Sequence, residues 1–238
     1  MSVLIKGKIN SIQTLGTLDG PGIRFIAFLQ GCNLRCGCCH NPETWESSGG
    51  EEITAEALVQ NALKYREYFG AKGGITLSGG EPLMQAEFVK EVFSLCKQKG
   101  INTCLDTSGS IINDAVLEAL EFTDFVLLDI KYTTDELYRE NAGCGIEKPL
   151  KFLKILEERK IPYRIRQVII PTLNDNEENI KALNDLTENL EFLEKTELLP
   201  FKKLCKSKYE DLKIPFRFEN IPEPDKQLMK KLEERLAR

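Results

Sequence analysis

The chain holds a single histidine, His40. A multi-histidine zinc or copper site is excluded, and any catalytic device that needs an imidazole must use this one. A basic excess is also lacking. The 32 Lys and Arg stand against 37 Asp and Glu, a net charge of −5, which argues against a nucleic-acid or membrane-surface binder. No apolar run approaches the roughly 18 residues that a bilayer span needs. The N-terminal stretch MSVLIKGKINSIQTLG has no basic start followed by an apolar block, so a secretory leader is not expected. Internal repeats and linkers rich in Pro, Gly or Ser are missing too. What remains, 42% hydrophobic and 29% charged residues over 238 positions, is an ordinary globular composition, expected to form one domain over 1–238.

Cysteine, by contrast, is plentiful at eight residues. With no leader, the cytoplasm is the expected compartment. Clustered cysteines there read as metal ligands or redox groups before they read as disulfides.

Along the chain, short β-rich runs alternate with helix-like runs. Strands are expected over 24–30, 74–77, 102–106, 125–130, 163–170 and 196–199. Helices are expected over 54–69, 85–99, 113–121, 149–159, 176–190 and 225–238, with Asn113 or Asp114 capping the third. Strict alternation with apolar, β-branched strands means a parallel sheet. The expected fold is α/β, an open or partial parallel β/α barrel of about six strands, with a doubly wound sheet as the second choice. In both, chemistry belongs at the C-terminal ends of the strands.

The unusual residues fall there. The first expected strand ends at Gln30, and GCNLRCGCCHN follows. Cys32, Cys36 and Cys39 are spaced C-x3-C-x2-C, so their thiolates can wrap one cluster from one loop. Three ligands to a four-iron cluster leave one iron open, as a catalytic metal requires. The competing accounts are a structural zinc site completed by Cys38 or His40, a vicinal redox pair Cys38–Cys39, and a chance gathering of buried cysteines. Further along, Ser78-Gly79-Gly80-Glu81-Pro82 ends a strand with two glycines that let backbone approach a ligand. Asp106-Thr107 and Asp129-Ile130-Lys131 each end a strand in charge, or in a merely solvated turn. Arg166 shares a strand face with Arg164 and Val168. It needs an anion there, either a ligand carboxylate or Asp106 or Asp129.

These motifs resemble the radical S-adenosylmethionine enzymes, whose signature is C-x3-C-x2-C. More narrowly they resemble the glycyl-radical-enzyme activases that act on pyruvate formate-lyase. The resemblance covers nearly the whole chain through DGPGIR at 19–24, the cysteine loop with His40-Asn41-Pro42, LSGGEP at 77–82, CLDT at 104–107, LDIK at 128–131 and ELLP at 197–200.

The resemblance implies a [4Fe–4S] cluster on Cys32, Cys36 and Cys39. It places S-adenosylmethionine near Cys38, His40, Gly79, Gly80, Glu81, Asp106, Asp129, Ile130, Lys131, Arg166 and Lys202. It also implies a monovalent cation at Asp106, Thr107 and Asp129. No catalytic group is expected beyond cluster and cofactor. A glycyl radical enzyme is the expected partner, with pyruvate formate-lyase favoured because no ferredoxin-like insert lies between Cys39 and Gly79. Reduced flavodoxin or ferredoxin is the expected electron donor, and a monomer the expected state. Asp19 and the Gly20-Pro21-Gly22 turn are implied to receive the partner's glycine loop, or else form a simple turn. The rival activities are activation of another glycyl radical enzyme, a small-molecule enzyme of the same superfamily resembling carboxy-deazaguanine synthase, and a zinc-stabilised binding module.

Two positions depart from the family pattern. Cys38 replaces an aromatic residue near the adenine, and Lys202 replaces a histidine near the ribose. Lys203, Lys206 and Lys208 beyond it read as a solvated basic run.

Overall fold

The computed structural model describes residues 4–237. Its contacts group the chain into two compact units. One comprises 4–33, 44–107 and 111–127, and the other 34–43, 108–110 and 128–237.

The first unit carries β1 (Lys6–Gly16), β2 (Arg24–Leu29), β3 (Glu51–Thr54), α1 (Ala55–Leu63), α2 (Arg66–Phe69), β4 (Gly74–Gly79), α3 (Ala86–Gln98), β5 (Asn102–Thr107) and α4 (Asp114–Leu120). The chain then runs through β6 (Phe125–Asp129) into the second unit, with α5 (Asp135–Ala142), α6 (Glu147–Glu158), β7 (Tyr163–Ile169), α7 (Glu177–Thr187), β8 (Leu193–Pro200), α8 (Lys206–Asp211) and α9 (Lys226–Glu233). The strands follow the order β3-β1-β2-β4-β5-β6-β7-β8 in an open sheet. β2–β4, β4–β5 and β7–β8 are parallel. The α/β class and the six expected strands are present, and the sheet does not close.

β1 and β3 add an antiparallel margin, β1 pairing with β2 on one side and β3 on the other. β1 was not legible as a strand because most of its later residues are exposed, so it shows no apolar alternation. The helix expected over 54–69 breaks between α1 and α2. Tyr65 leaves helical geometry at φ −109°, and its ring packs 5.8 Å from that of Phe25. α5 was missed because DELYRENA offers few apolar residues. It is set by its ends, Thr134 accepting from Leu137 N and Gly143 turning left-handed at φ 86°.

In the first unit Phe25, Ile26, Ala27 and Leu29 of β2 and Ile75 and Leu77 of β4 are buried. Both strands read as continuous apolar runs because both faces are covered. α3 buries Phe88, Val89, Val92, Phe93 and Cys96 on one stripe. Arg24 is fully buried, donating to Thr76 Oγ1 at 3.0 Å, Asn102 Oδ1 at 2.8 Å and the carbonyls of Pro21 and Lys72. It therefore fastens the Gly20–Gly22 turn to β4 and β5. Burial holds its guanidinium below the ordinary arginine value, against Cys104 and Asp124.

In the second unit β7 alternates, with Tyr163, Ile165, Gln167 and Ile169 buried and Arg164, Arg166 and Val168 on the other face. α7 and α9 close its core, where Ile169, Ile180, Leu183, Leu198, Met229 and Leu232 meet. Asn176 and Asp225 cap these two helices. Among the described residues no helix is long and apolar enough to cross a membrane.

Candidate active site

In the first unit the site begins where β2 stops. Gly31 N donates to Thr44 O at 2.8 Å and Cys32 N to Trp45 O at 3.2 Å, which fixes the start of the cysteine loop. β4 ends alongside, with Leu29 and Gly79 in register. Gly79 has φ +116°, and a Cβ there would lie 2.2 Å from Leu29 N. At Gly80 a Cβ would lie 2.1 Å from Gly31 O and 3.1 Å from the Cβ of Cys32. Only glycine lets the two backbones meet this closely. Gly80 N and Glu81 N then donate across to Leu29 O and Gly31 O at 3.0 and 2.9 Å.

Glu81 is 1% exposed. Its Oε1 accepts from Thr107 Oγ1 at 2.6 Å and from Leu83 N at 3.1 Å, capping the turn that follows. Ser78 Oγ donates to Asp106 Oδ2 at 2.8 Å. The structure thus gathers Cys32, Ser78, Gly79, Gly80, Glu81, Asp106 and Thr107 at the ends of β2, β4 and β5.

In the second unit the rest of the cysteine loop is braced from several sides. Arg35 N and Gly37 N donate to Ala142 O and Asn141 O at 3.1 and 3.0 Å, docking the loop on the end of α5. Asn41 N donates to Cys39 Sγ at 3.4 Å. Tyr209 Oη donates to Cys39 O at 3.0 Å. Lys208 reaches Asn41 Oδ1 at 2.9 Å and Glu43 Oε1 at 2.5 Å. Neither brace was legible in the sequence, since each links positions about 165 residues apart in the chain.

Of the basic run expected to be solvated, Lys208 departs by bracing Asn41 and Glu43, while Lys206 stays exposed. Lys203 donates to Glu219 O at 2.6 Å and Lys206 pairs with Glu219 at 2.9 Å.

His40 is exposed, and its Nε2 donates to Lys202 O at 3.0 Å, since a carbonyl can only accept. It ties the cysteine loop to the segment after β8. The Lys202 ammonium itself pairs with Glu223 at 2.8 Å.

At the ends of β6 and β7, Arg166 Nε and Nη2 reach Asp129 Oδ1 at 2.9 and 2.8 Å, and Lys131 Nζ reaches Oδ2 at 2.6 Å. Of the two partners weighed for Arg166, an ion-paired carboxylate is therefore present. Burial pushes the Asp129 carboxyl up, but Arg166 and Lys131 outweigh it and hold the group below the usual carboxylate range. Burial works against the Lys131 ammonium, yet Asp129, Cys36 and Cys38 together raise it well above the ordinary lysine value. The Ile130 side chain is fully buried and its N donates to Arg166 O at 3.0 Å, so only its backbone can meet a ligand.

None of Cys32, Cys36, Cys38 and Cys39 is in a disulfide, and all four are partly exposed. Burial pushes the Cys38 thiol up to about 11.

A Radical SAM superfamily profile matches residues 26–183. Over 234 residues the chain is 44% identical to the pyruvate formate-lyase-activating enzyme of Clostridium pasteurianum, covering 98% of each. The chain belongs to the pyruvate formate-lyase-activating enzymes of the radical SAM superfamily. Over 235 residues it is 40% identical to the pyruvate formate-lyase 1-activating enzyme of Escherichia coli, covering 98% of this chain and 95% of that one. A radical SAM methyltransferase from Sphaerobacter thermophilus shares the fold, with a TM-score of 0.65 at 17% identity over 90% of this chain and 63% of that one.

Membership in the radical SAM superfamily carries with it a [4Fe–4S] cluster and S-adenosylmethionine. The residues fit the cluster. Cysteines outside any disulfide stand at the spacing it needs on a loop pinned at both ends, and Asn41 N–H already points at Cys39 sulfur. Among the described residues no three His, Cys, Asp or Glu side chains are arranged to hold a single metal ion. A cluster does not ask for that convergence, because each thiolate takes a separate corner.

Proposed function

We propose that this radical SAM activase installs the glycyl radical of pyruvate formate-lyase. The reading is carried by one observation: a loop of cysteines outside any disulfide, backed at Cys32 by a glycine pair that admits no side chain, in a chain alike over 98% of its length to activating enzymes of that kind.

Cys32, Cys36 and Cys39 are the thiolates we assign to the cluster. The cluster, when bound, supplies one electron that splits S-adenosylmethionine into methionine and a 5′-deoxyadenosyl radical, which takes a hydrogen atom from a backbone glycine of the partner. The protein's own part is to bind, orient and exclude water. We assign the backbone at Gly79 and Gly80, held close against Leu29 and Gly31 because neither residue carries a Cβ, to the methionyl amino group. Lys131 and Arg166 supply cationic donors for the methionyl carboxylate, with Asp129 setting their positions. His40 and Lys202 fix the loop from the far side, through backbone in the case of Lys202. Cys38 presents sulfur to the adenine where an aromatic face is usual.

The oxygens of Asp106 and Thr107 are our proposed seat for a monovalent cation. We further assign reduced flavodoxin or ferredoxin as donor, a monomeric state and a cytoplasmic location, the last in keeping with cysteines that form no disulfide.

The test is anaerobic reconstitution followed by S-adenosylmethionine and reductant, with and without pyruvate formate-lyase. About four irons per chain and equal yields of methionine and 5′-deoxyadenosine that rise with the partner support the reading. One zinc per chain in a colourless protein, with no cleavage, overturns it.

A further inference from the structure

Among the described residues of the second unit, four buried side chains carry a donor with no acceptor, Tyr132, Asn141, Gln167 and Thr196, and two of them neighbour the cysteine loop. The first is the hydroxyl of Tyr132, a residue 2% exposed, and the second is the side-chain Nδ2 of Asn141, a residue 3% exposed. A buried donor left without an acceptor costs about 1–3 kcal/mol, so a fold keeps one where something else completes it. The neighbouring Tyr138 shows the contrast, because its hydroxyl accepts from Lys131 N at 3.0 Å and donates to Asp129 O at 3.5 Å.

Both donors belong to the surroundings of one loop. The main-chain carbonyl of Asn141 holds Gly37 N, between Cys36 and Cys38, at 3.0 Å. The Tyr132 ring is fixed edge-on against Tyr138 at 6.1 Å and 83°. Burial pushes the phenol far above its ordinary value, and Cys38 and Cys36 push it further. The cysteines are thus its electrostatic neighbours, and the hydroxyl keeps its proton. What both atoms lack is an acceptor, and sulfur of a thiolate or an iron–sulfur core is one.

We propose that the Tyr132 hydroxyl and the Asn141 amide donate hydrogen bonds to sulfur on the Cys36 side of the cluster site and thereby raise the cluster's reduction potential. The inference rests on the activase reading above. It assigns to Tyr132 and Asn141 a role that neither the cysteine spacing nor the strand-end motifs indicate. The physical reason is that reduction adds negative charge to the core, so a donor at sulfur stabilises the reduced form more than the oxidised one. Neither residue supplies a ligand, so removing either donor leaves the iron in place.

The test is a potentiometric titration of the full chain, reconstituted anaerobically, as wild type, Tyr132→Phe and Asn141→Leu. The signal is the spin resonance of the reduced cluster in the absence of S-adenosylmethionine and partner. Each variant is expected to retain the wild-type iron content. At the wild-type midpoint, its ratio of reduced to oxidised cluster is expected to fall roughly three- to tenfold. An unchanged midpoint in a fully loaded variant overturns the assignment of that residue. Should one variant fail to load, the other is read alone, and loss of iron from both overturns the proposal, since donors to sulfur tune a cluster without holding it. Failure of the wild-type chain to take up iron would instead sink the activase reading, so the two failures are distinct.

Discussion

Arg166 turns both Nε and Nη2 onto a single oxygen of Asp129, at 2.9 and 2.8 Å. The other carboxylate oxygen is taken by Lys131 at 2.6 Å. One carboxylate at the end of β6 thus fixes two cations that differ in shape, a planar fork and a compact ammonium. Asp129→Asn removes the charge that holds them. Because the Asp129 side chain is 22% exposed, water screens part of the loss, and the cost is expected near 2 kcal/mol rather than the about 3–5 of a fully buried pair. The pH dependence has a definite sign. The folded-state pKa of Asp129 lies below its ordinary value, so its stabilisation is complete above about pH 4 and is lost as pH falls through the lower folded value. Urea unfolding of the two apo-proteins should show a constant gap from neutral pH to about pH 4 and a closing gap below.

The cysteine assignments predict a pattern rather than a single loss. Cys32→Ala, Cys36→Ala and Cys39→Ala should each abolish the brown absorption and most of the iron. Cys38→Ala should leave both, because the C-x3-C-x2-C spacing excludes it. Iron per chain after anaerobic reconstitution checks this, and full iron in Cys36→Ala contradicts it.

Gly80 is constrained by backbone. A Cβ 2.1 Å from Gly31 O cannot be accommodated by a rotamer change. Gly80→Ala must push apart the two segments that carry Gly80 and Cys32. A destabilisation above about 2 kcal/mol is expected, together with poor iron loading. Chemical unfolding and an iron count on the same sample measure both.

Much of this could be read in the chain. β2 and β4 announce themselves as apolar runs because both faces are covered, β7 by its alternation, and the carboxylates Asp106 and Asp129 mark the ends of β5 and β6. β1 escaped, since a margin strand with many exposed residues shows no alternation. Which anion meets Arg166 could not be read, because strand order alone does not say whether Asp106 or Asp129 faces it. The supports from Tyr209 and Lys208 were hidden for a different reason. A hydrogen bond across 170 positions, Tyr209 to Cys39, leaves no local pattern. Nor does an orphaned hydroxyl such as that of Tyr132, which is visible only once its surroundings are known.

Those distant supports carry their own prediction. Tyr209→Phe removes only the hydroxyl that holds Cys39 O at 3.0 Å. Stability should fall by about 1 kcal/mol, and the cluster should bleach faster in the presence of an iron chelator. The decay of its visible absorption is the readout, and an unchanged rate contradicts a bracing role.

The central claim is that a hydrogen atom passes from a backbone glycine of the partner to the carbon freed from S-adenosylmethionine. Pyruvate formate-lyase labelled with α-deuterated glycine, incubated anaerobically with the reduced enzyme and S-adenosylmethionine, tests it most directly. The account predicts deuterium in the 5′-deoxyadenosine product and a glycine-centred radical on the partner whose hydrogen splitting collapses on labelling. Unlabelled 5′-deoxyadenosine, formed by a fully loaded and reduced cluster with no radical on the partner, would contradict it.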